Sequence, residues 1–184
     1  MILASASPRR RELLGLITES FSVIPASGEE IIPTGTPPRS AVLLLSQQKA
    51  REVCTRHKNE VVIAADTIVA VDNDILGEPA DKRQAAEMLR RLSGRCHSVF
   101  TGVCVIYPNG TEDVFAEETE VEFYPLTDSE IAAYCDTGEP MDKAGAYGIQ
   151  GAGALLVKRI CGDYYNVMGL PVGRLNRLLR ERLA

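Results

Sequence analysis

Apolar and polar positions alternate along this chain with two periods, and the changes between them mark the elements. Residues 2–5 form a short apolar run that predicts a strand. Ser7-Pro8 then reads as an N-cap and a first helical residue, because the Ser hydroxyl can accept an orphan N–H and Pro has none to leave unpaired. That helix is predicted to run to about residue 17, with Leu13, Leu14 and Ile17 apolar. A strand is expected near 21–25, then a polar loop carrying Gly28, Pro33, Gly35, Pro37 and Pro38. Val42, Leu45, Lys49 and Val53 recur at helical spacing and predict a second helix over about 38–57.

Residues 61–71 are apolar on both alternating faces, the signature of a strand covered on both sides. Asp72-Asn73-Asp74 reads as a turn. A helix over about 81–92 follows, with Ala85, Met88, Leu89 and Leu92 on one face and Gly94 beyond its end. Residues 96–107 predict a second long strand, which Pro108-Asn109-Gly110 turns back. The returning strand, about 112–124, alternates Thr119, Val121 and Phe123 with Glu118, Glu120 and Glu122, so one face is wet. Thr127-Asp128-Ser129-Glu130 is a capping box that opens a helix to about Cys135, stopped by Gly138. Two short strands are expected to flank Gly162, and Pro171 opens a last helix with Leu175, Leu178 and Leu179. Intermixed strands and helices with one clear hairpin predict an α/β fold with a mixed sheet.

With 184 residues, one domain over 1–184 is expected, large enough to form a core without disulfide staples. The 20 Lys+Arg against 25 Asp+Glu give a net charge of −5, which argues against a general nucleic-acid binder or a basic membrane-surface helix. No apolar run approaches the roughly 20 residues that span a bilayer. The stretch before Arg9, Arg10 and Arg11 is too short for a signal-peptide core, so a cytoplasmic location is expected. The 5 cysteines form no Cys-x-x-Cys pair, and only His57 and His97 are present, which disfavours a disulfide framework, a zinc site and a Ser-His triad. P-loop, Gly-x-Gly-x-x-Gly, His-Glu-x-x-His and Gly-x-Ser-x-Gly patterns are absent.

Five groups could carry chemistry. Ser5, Ser7, Arg9, Arg10 and Arg11 stand where a strand meets a helix N-terminus, a place that suits a phosphate or equally a solvated basic turn. Asp66 interrupts an apolar strand, where a carboxylate needs a cation, a metal or backbone donors. Lys49 sits on an apolar helical stripe, so it either snorkels to water or points into a site, with Asp66 or a substrate phosphate as counter-charge. Glu29-Glu30 can hold a hard cation or be plain loop charge. Residues 138–153 carry Gly138, Gly145, Gly148, Gly151 and Gly153 with the polar candidates Asp142, Lys143 and Gln150, as in a loop whose backbone approaches a ligand, or a surface loop.

The stretches Leu3-Ala4-Ser5-x-Ser7-Pro8-Arg9-Arg10-x-Glu12-Leu13-Leu14, Lys49-Ala50, Ala65-Asp66-Thr67, Leu92-Ser93-Gly94, Thr101-Gly102-Val103, Asp142-Lys143-Ala144-Gly145-Ala146-Tyr147-Gly148-Ile149-Gln150-Gly151 and Gly169-Leu170-Pro171 together resemble the Maf family of nucleotide pyrophosphatases. The resemblance spans nearly the whole chain. It implies a mixed twisted sheet with flanking helices and a central cleft, similar to the inosine-triphosphate pyrophosphatases. It also implies hydrolysis of a nucleoside triphosphate to monophosphate and pyrophosphate with a divalent cation, and a homodimer as the family expectation. Asp66 matches the family's proton acceptor. Arg9, Thr67 and Gln150 match the positions that set base preference in the dTTP/UTP branch, and Arg10, Glu30 and Lys49 match further site positions. One departure stands out: Leu76-Gly77-Glu78-Pro79 has a carboxylate where the family usually has lysine, and Lys82 is the nearby candidate to replace it.

The expected mechanism has Glu30 and Asp66 holding Mg²⁺ or Mn²⁺, with Ser7, Arg9, Arg10 and Lys49 binding the triphosphate. Asp66, directly or through the metal, activates the water that attacks the α-phosphorus, and the Gln150 amide can read a pyrimidine edge, with Thr67 a further substrate-binding position. The alternative is a non-enzymatic nucleotide-binding regulator of septum formation and cell-division arrest, which binding without turnover would mark.

Overall fold

The computed structural model describes residues 1–183. Its elements follow the pattern closely: β1 (Ile2–Leu3), α1 (Pro8–Gly15), β2 (Ser22–Val23), α2 (Pro38–Cys54), β3 (Val62–Val71), β4 (Asp74–Leu76), α3 (Lys82–Leu92), β5 (Cys96–Ile106), β6 (Glu112–Phe123), α4 (Asp128–Asp136), β7 (Val157–Cys161), α5 (Tyr164–Met168) and α6 (Val172–Leu183). The predicted caps form. The Ser7 side chain accepts from the Arg10 N–H, and Thr127 and Glu130 make the reciprocal capping box.

The expected turn after β3 forms and leads into a further strand, and one later expectation differs. Asp72 and Asn73 both take positive φ and close a hairpin onto β4, a strand too short to show a period of its own. After Gly162 the chain forms α5 instead of a strand, because Asp163 accepts the Tyr165 N–H and caps a helix there.

The strands form one mixed sheet in the order β2-β1-β3-β5-β6-β7, with β4 also on β3. β1 runs parallel to β2 and β3; the remaining pairs are antiparallel. Helices cover both faces, so the α/β expectation with flanking helices holds. On one face, Ile63 and Ala65 of β3 pack with Leu13 and Leu14 of α1 and Leu175 and Leu179 of α6. On the other, Val62 and Ala64 pack with Ala50 and Val53 of α2. The period of two on β3 therefore sends Asp66 toward α2 and Thr67 toward α1.

One edge of β3 is shared. β1 pairs with it at Val62 and Ile63, and β4 at Val69, Ala70 and Val71. Neither strand pairs with the stretch between, and Asp66, Thr67 and Ile68 there line a cleft of about 1020 Å³. Among the described residues no helix is long and apolar enough to cross a membrane.

Candidate active site

The cleft collects the sequence candidates from five separate segments. Ser7, Arg9 and Arg10 come from the start of α1, Glu30 from the following loop, Lys49 from α2, Asp66 and Thr67 from β3, and Gln150 from the loop before β7. Arg11 lies outside this lining and is exposed.

Lys49 reaches inward. Its Nζ stands 2.5 Å from Asp66 Oδ1 and 2.9 Å from Glu30 Oε1. Asp66 is buried, with 8% of its surface accessible, so this ammonium supplies the counter-charge that a carboxylate in an apolar strand requires. Glu30 is half exposed, and its share of the interaction is correspondingly screened by water. Asp66 Oδ2 has no hydrogen-bond partner among the described residues and stays available within the cleft.

On the opposite face of β3, Arg10 spreads its fork over three acceptors. Nε donates to the Gly169 carbonyl at 2.9 Å, one terminal nitrogen to Ser5 Oγ at 3.3 Å, and the other to Thr67 Oγ1 at 3.0 Å. Thr101 Oγ1 donates to the Asn166 carbonyl at 2.9 Å and lies 2.9 Å from Thr67 Oγ1. A hydroxyl has one proton, so Thr67 donates to Thr101 and accepts from Arg10. The chain Arg10 to Thr67 to Thr101 to Asn166 thus has a single direction and fixes the guanidinium. Burial pulls the Arg10 guanidinium below its ordinary value, and the field of Asp66 opposes that shift. Ser5, Thr101 and Asn166 complete this support. Thr101 stood in the sequence only within the family-like stretch Thr101-Gly102-Val103, and nothing local singled out Asn166.

Arg9 makes no hydrogen bond or ion pair among the described residues, yet it lines the cleft, as does exposed Gln150. Glu78 also lines it. Lys82 does not replace the missing lysine: its Nζ pairs with Asp136 at 2.8 Å, on the outer surface. The cation on that side of the cleft is Lys143, bonded to the Glu139 carbonyl and to Asp142 Oδ1, each at 2.7 Å. The Lys143 ammonium holds the Asp142 carboxyl below its usual range, and the field of Arg9 adds to the shift.

Glu30 and Asp66 converge on the Lys49 ammonium, and their oxygens are of the kind that would suit a hard divalent cation if one took its place, with substrate phosphate oxygens or water as further donors. Among the described residues no group of three or more His, Cys, Asp or Glu side chains could hold a metal without such help.

Comparisons with known proteins bear on the family and the fold. A dTTP/UTP pyrophosphatase of Carboxydothermus hydrogenoformans is 54% identical over 180 residues, covering 97% of this chain and 96% of that protein. One from Bacillus velezensis is 50% identical over 181 residues, covering 98% and 95%. Among solved structures, the Ham1 protein of Staphylococcus aureus superposes with a TM-score of 0.57 at 18% identity, covering 98% of each chain. A HAM1 protein from Coxiella burnetii gives 0.55 at 16% identity with the same coverage. These two likenesses bear on the fold. The family model described as Maf-like protein matches residues 1–182, and the chain belongs to the Maf family.

Proposed function

We propose that this protein hydrolyses dTTP and UTP to the monophosphate and pyrophosphate. The observation that carries the reading is the meeting, in one cleft, of the Lys49–Asp66 pair on one face of β3 with Arg10 on the other. Relatives at about half identity over nearly their whole length, named for that reaction, support the substrate class.

Arg9, Arg10 and Lys49 would neutralise the triphosphate, with the Ser7 hydroxyl at the N-terminus of α1 adding a neutral donor. Arg10 is already fixed by its three acceptors, so it stabilises charge at little reorganisation cost. Asp66 Oδ2 would take the proton of the water that attacks the α-phosphorus, and pyrophosphate leaves toward the cationic groups. Glu30 and Asp66 would hold Mg²⁺ or Mn²⁺ as the triphosphate enters. When bound, that ion supplies Lewis-acid stabilisation of the developing negative charge. Gln150 and Arg9 line the same cleft, and the Gln150 amide offers both a donor and an acceptor to a pyrimidine edge.

The free thiols of Cys54, Cys96, Cys104, Cys135 and Cys161 support work in a reducing compartment, the cytoplasm. A pyrophosphate-release screen over the common nucleoside triphosphates, with Mg²⁺, with Mn²⁺ and with chelator, tests the reading. Release from dTTP and UTP above purine triphosphates is expected; binding without release across the panel would overturn it.

A further inference from the structure

Much of the segment 138–153 lines the cleft, Gln150 included, and its own hydrogen bonds converge on two side chains, Tyr134 and the cleft-lining Glu139. Tyr134, buried on α4, donates its hydroxyl proton to Glu139 Oε1 at 2.9 Å and accepts the Gly148 N–H at 3.1 Å. The Glu139 carboxylate also accepts the Ala152 N–H on Oε2 at 3.0 Å and the Gly153 N–H on Oε1 at 3.1 Å. Gln150 lies between these anchors, two residues after Gly148 and two before Ala152.

The glycines of this segment are explained by the same pair. Gly151 has φ of 65°, and a Cβ there would stand 2.7 Å from Glu139 Oε2. A Cβ at Gly153 would stand 2.7 Å from the Tyr134 hydroxyl oxygen and on top of the Gly148 carbonyl. The close approach expected here of a ligand is at these two positions an approach to Glu139 and Tyr134.

We infer that Glu139, together with Tyr134, is a positioning residue for base selection: its carboxylate holds the backbone after Gln150 directly and, through the Tyr134 hydroxyl, the backbone before it, and so fixes the amide that meets the nucleobase. The inference rests on the proposed pyrimidine triphosphate reading. An amide that reads a base by paired donor and acceptor discriminates only if its backbone is held, since a displacement of about 1 Å costs most of such a contact. Packing alone would tolerate any side chain of Glu139's shape; the clamp requires two acceptor oxygens facing three donors.

Glu139→Gln separates these cases. It keeps the shape and replaces one acceptor oxygen with an amide NH2 group, a donor that would face a donor. The experiment measures kcat and KM of the full-length wild type and variant for dTTP, UTP, dATP and GTP, with circular dichroism to establish folding. In the variant, KM for dTTP and UTP is expected to rise by roughly tenfold, more than kcat falls. The preference for these two over dATP and GTP should shrink by a similar factor. Tyr134→Phe takes its place if Glu139→Gln does not fold, and the same loss of preference is expected. An unchanged preference ratio, or an equal loss on all four nucleotides, overturns the inference while leaving the pyrophosphatase reading intact. Failure of the wild type to release pyrophosphate from dTTP and UTP overturns both.

Discussion

Lys49 Nζ stands 2.5 Å from Asp66 Oδ1, the shortest link between α2 and the middle of β3 in the cleft. It makes the buried carboxylate tolerable and places the proposed proton acceptor beside the ammonium proposed to bind phosphate. Replacing Asp66 by Asn keeps the shape and removes the base. Pyrophosphate release should fall by about 10²- to 10⁴-fold with the far-ultraviolet circular dichroism unchanged. Near-normal turnover would sink the role assigned to Asp66.

The same ammonium occupies the point on which Glu30 and Asp66 converge. Lys49→Met leaves both carboxylates without their cation, so the protein should lose about 1–3 kcal/mol of stability in metal-free buffer. Added Mn²⁺ should restore part of that loss, because an ion that binds the folded state stabilises it by mass action. Calorimetric titration with Mn²⁺ alone should show tighter binding to the variant than to wild type, although the variant turns over slowly. Weaker or equal binding would show that the two carboxylates do not form the cation site.

Gly102 lies directly across from Asp66 in the β3–β5 register and beneath α2. A Cβ there would overlap the Val42 carbonyl, so α2 rests on the sheet at a point where only glycine fits. Gly102→Ala should cost on the order of 3 kcal/mol, since backbone must shift. It should also weaken nucleotide binding by lifting Lys49 away from Asp66. Urea denaturation and a binding titration check the two effects, and a variant as stable as wild type would contradict the packing account.

His97 is 3% exposed, and its Nε2 lies 2.7 Å from the Tyr147 hydroxyl in an aromatic cluster with Phe123. Burial lowers its pKa to about 4. The folded state therefore holds this ring neutral where the unfolded chain, with a pKa near 6.5, takes up a proton. Stability from this group is complete above pH of about 6.5 and falls as pH drops toward 4, by up to about 1.4 kcal/mol per unit. His97→Gln should flatten that part of the stability–pH curve in chemical denaturation between pH 7 and 4.5. An identical slope in both proteins would remove His97 as its source.

Local order was legible in the chain because its signals are local. The Ser7 and Thr127 caps, the doubly apolar β3, the β5–β6 hairpin and the apolar stripe of α2 each depend on residues a few positions apart. The motif residues Arg10, Lys49, Asp66 and Gln150 were likewise visible as charges or amides in unlikely places, and their family pattern as a resemblance. The chain alone left Lys49 free to snorkel and Asp66 free to bond backbone. The alternation of β3 and the close seat of α2 on Gly102 decided between them, since both depend on contacts between segments distant in sequence. Other partners were also invisible beforehand. The Arg10–Thr67–Thr101–Asn166 relay joins four elements, Lys82 turned outward to Asp136, and the glycines at 151 and 153 wrap a carboxylate instead of a ligand. The sequence determined which residues carry charge and where the chain turns. The tertiary structure decided which charges meet, because a 2.5 Å pairing depends on the packing of two elements against each other.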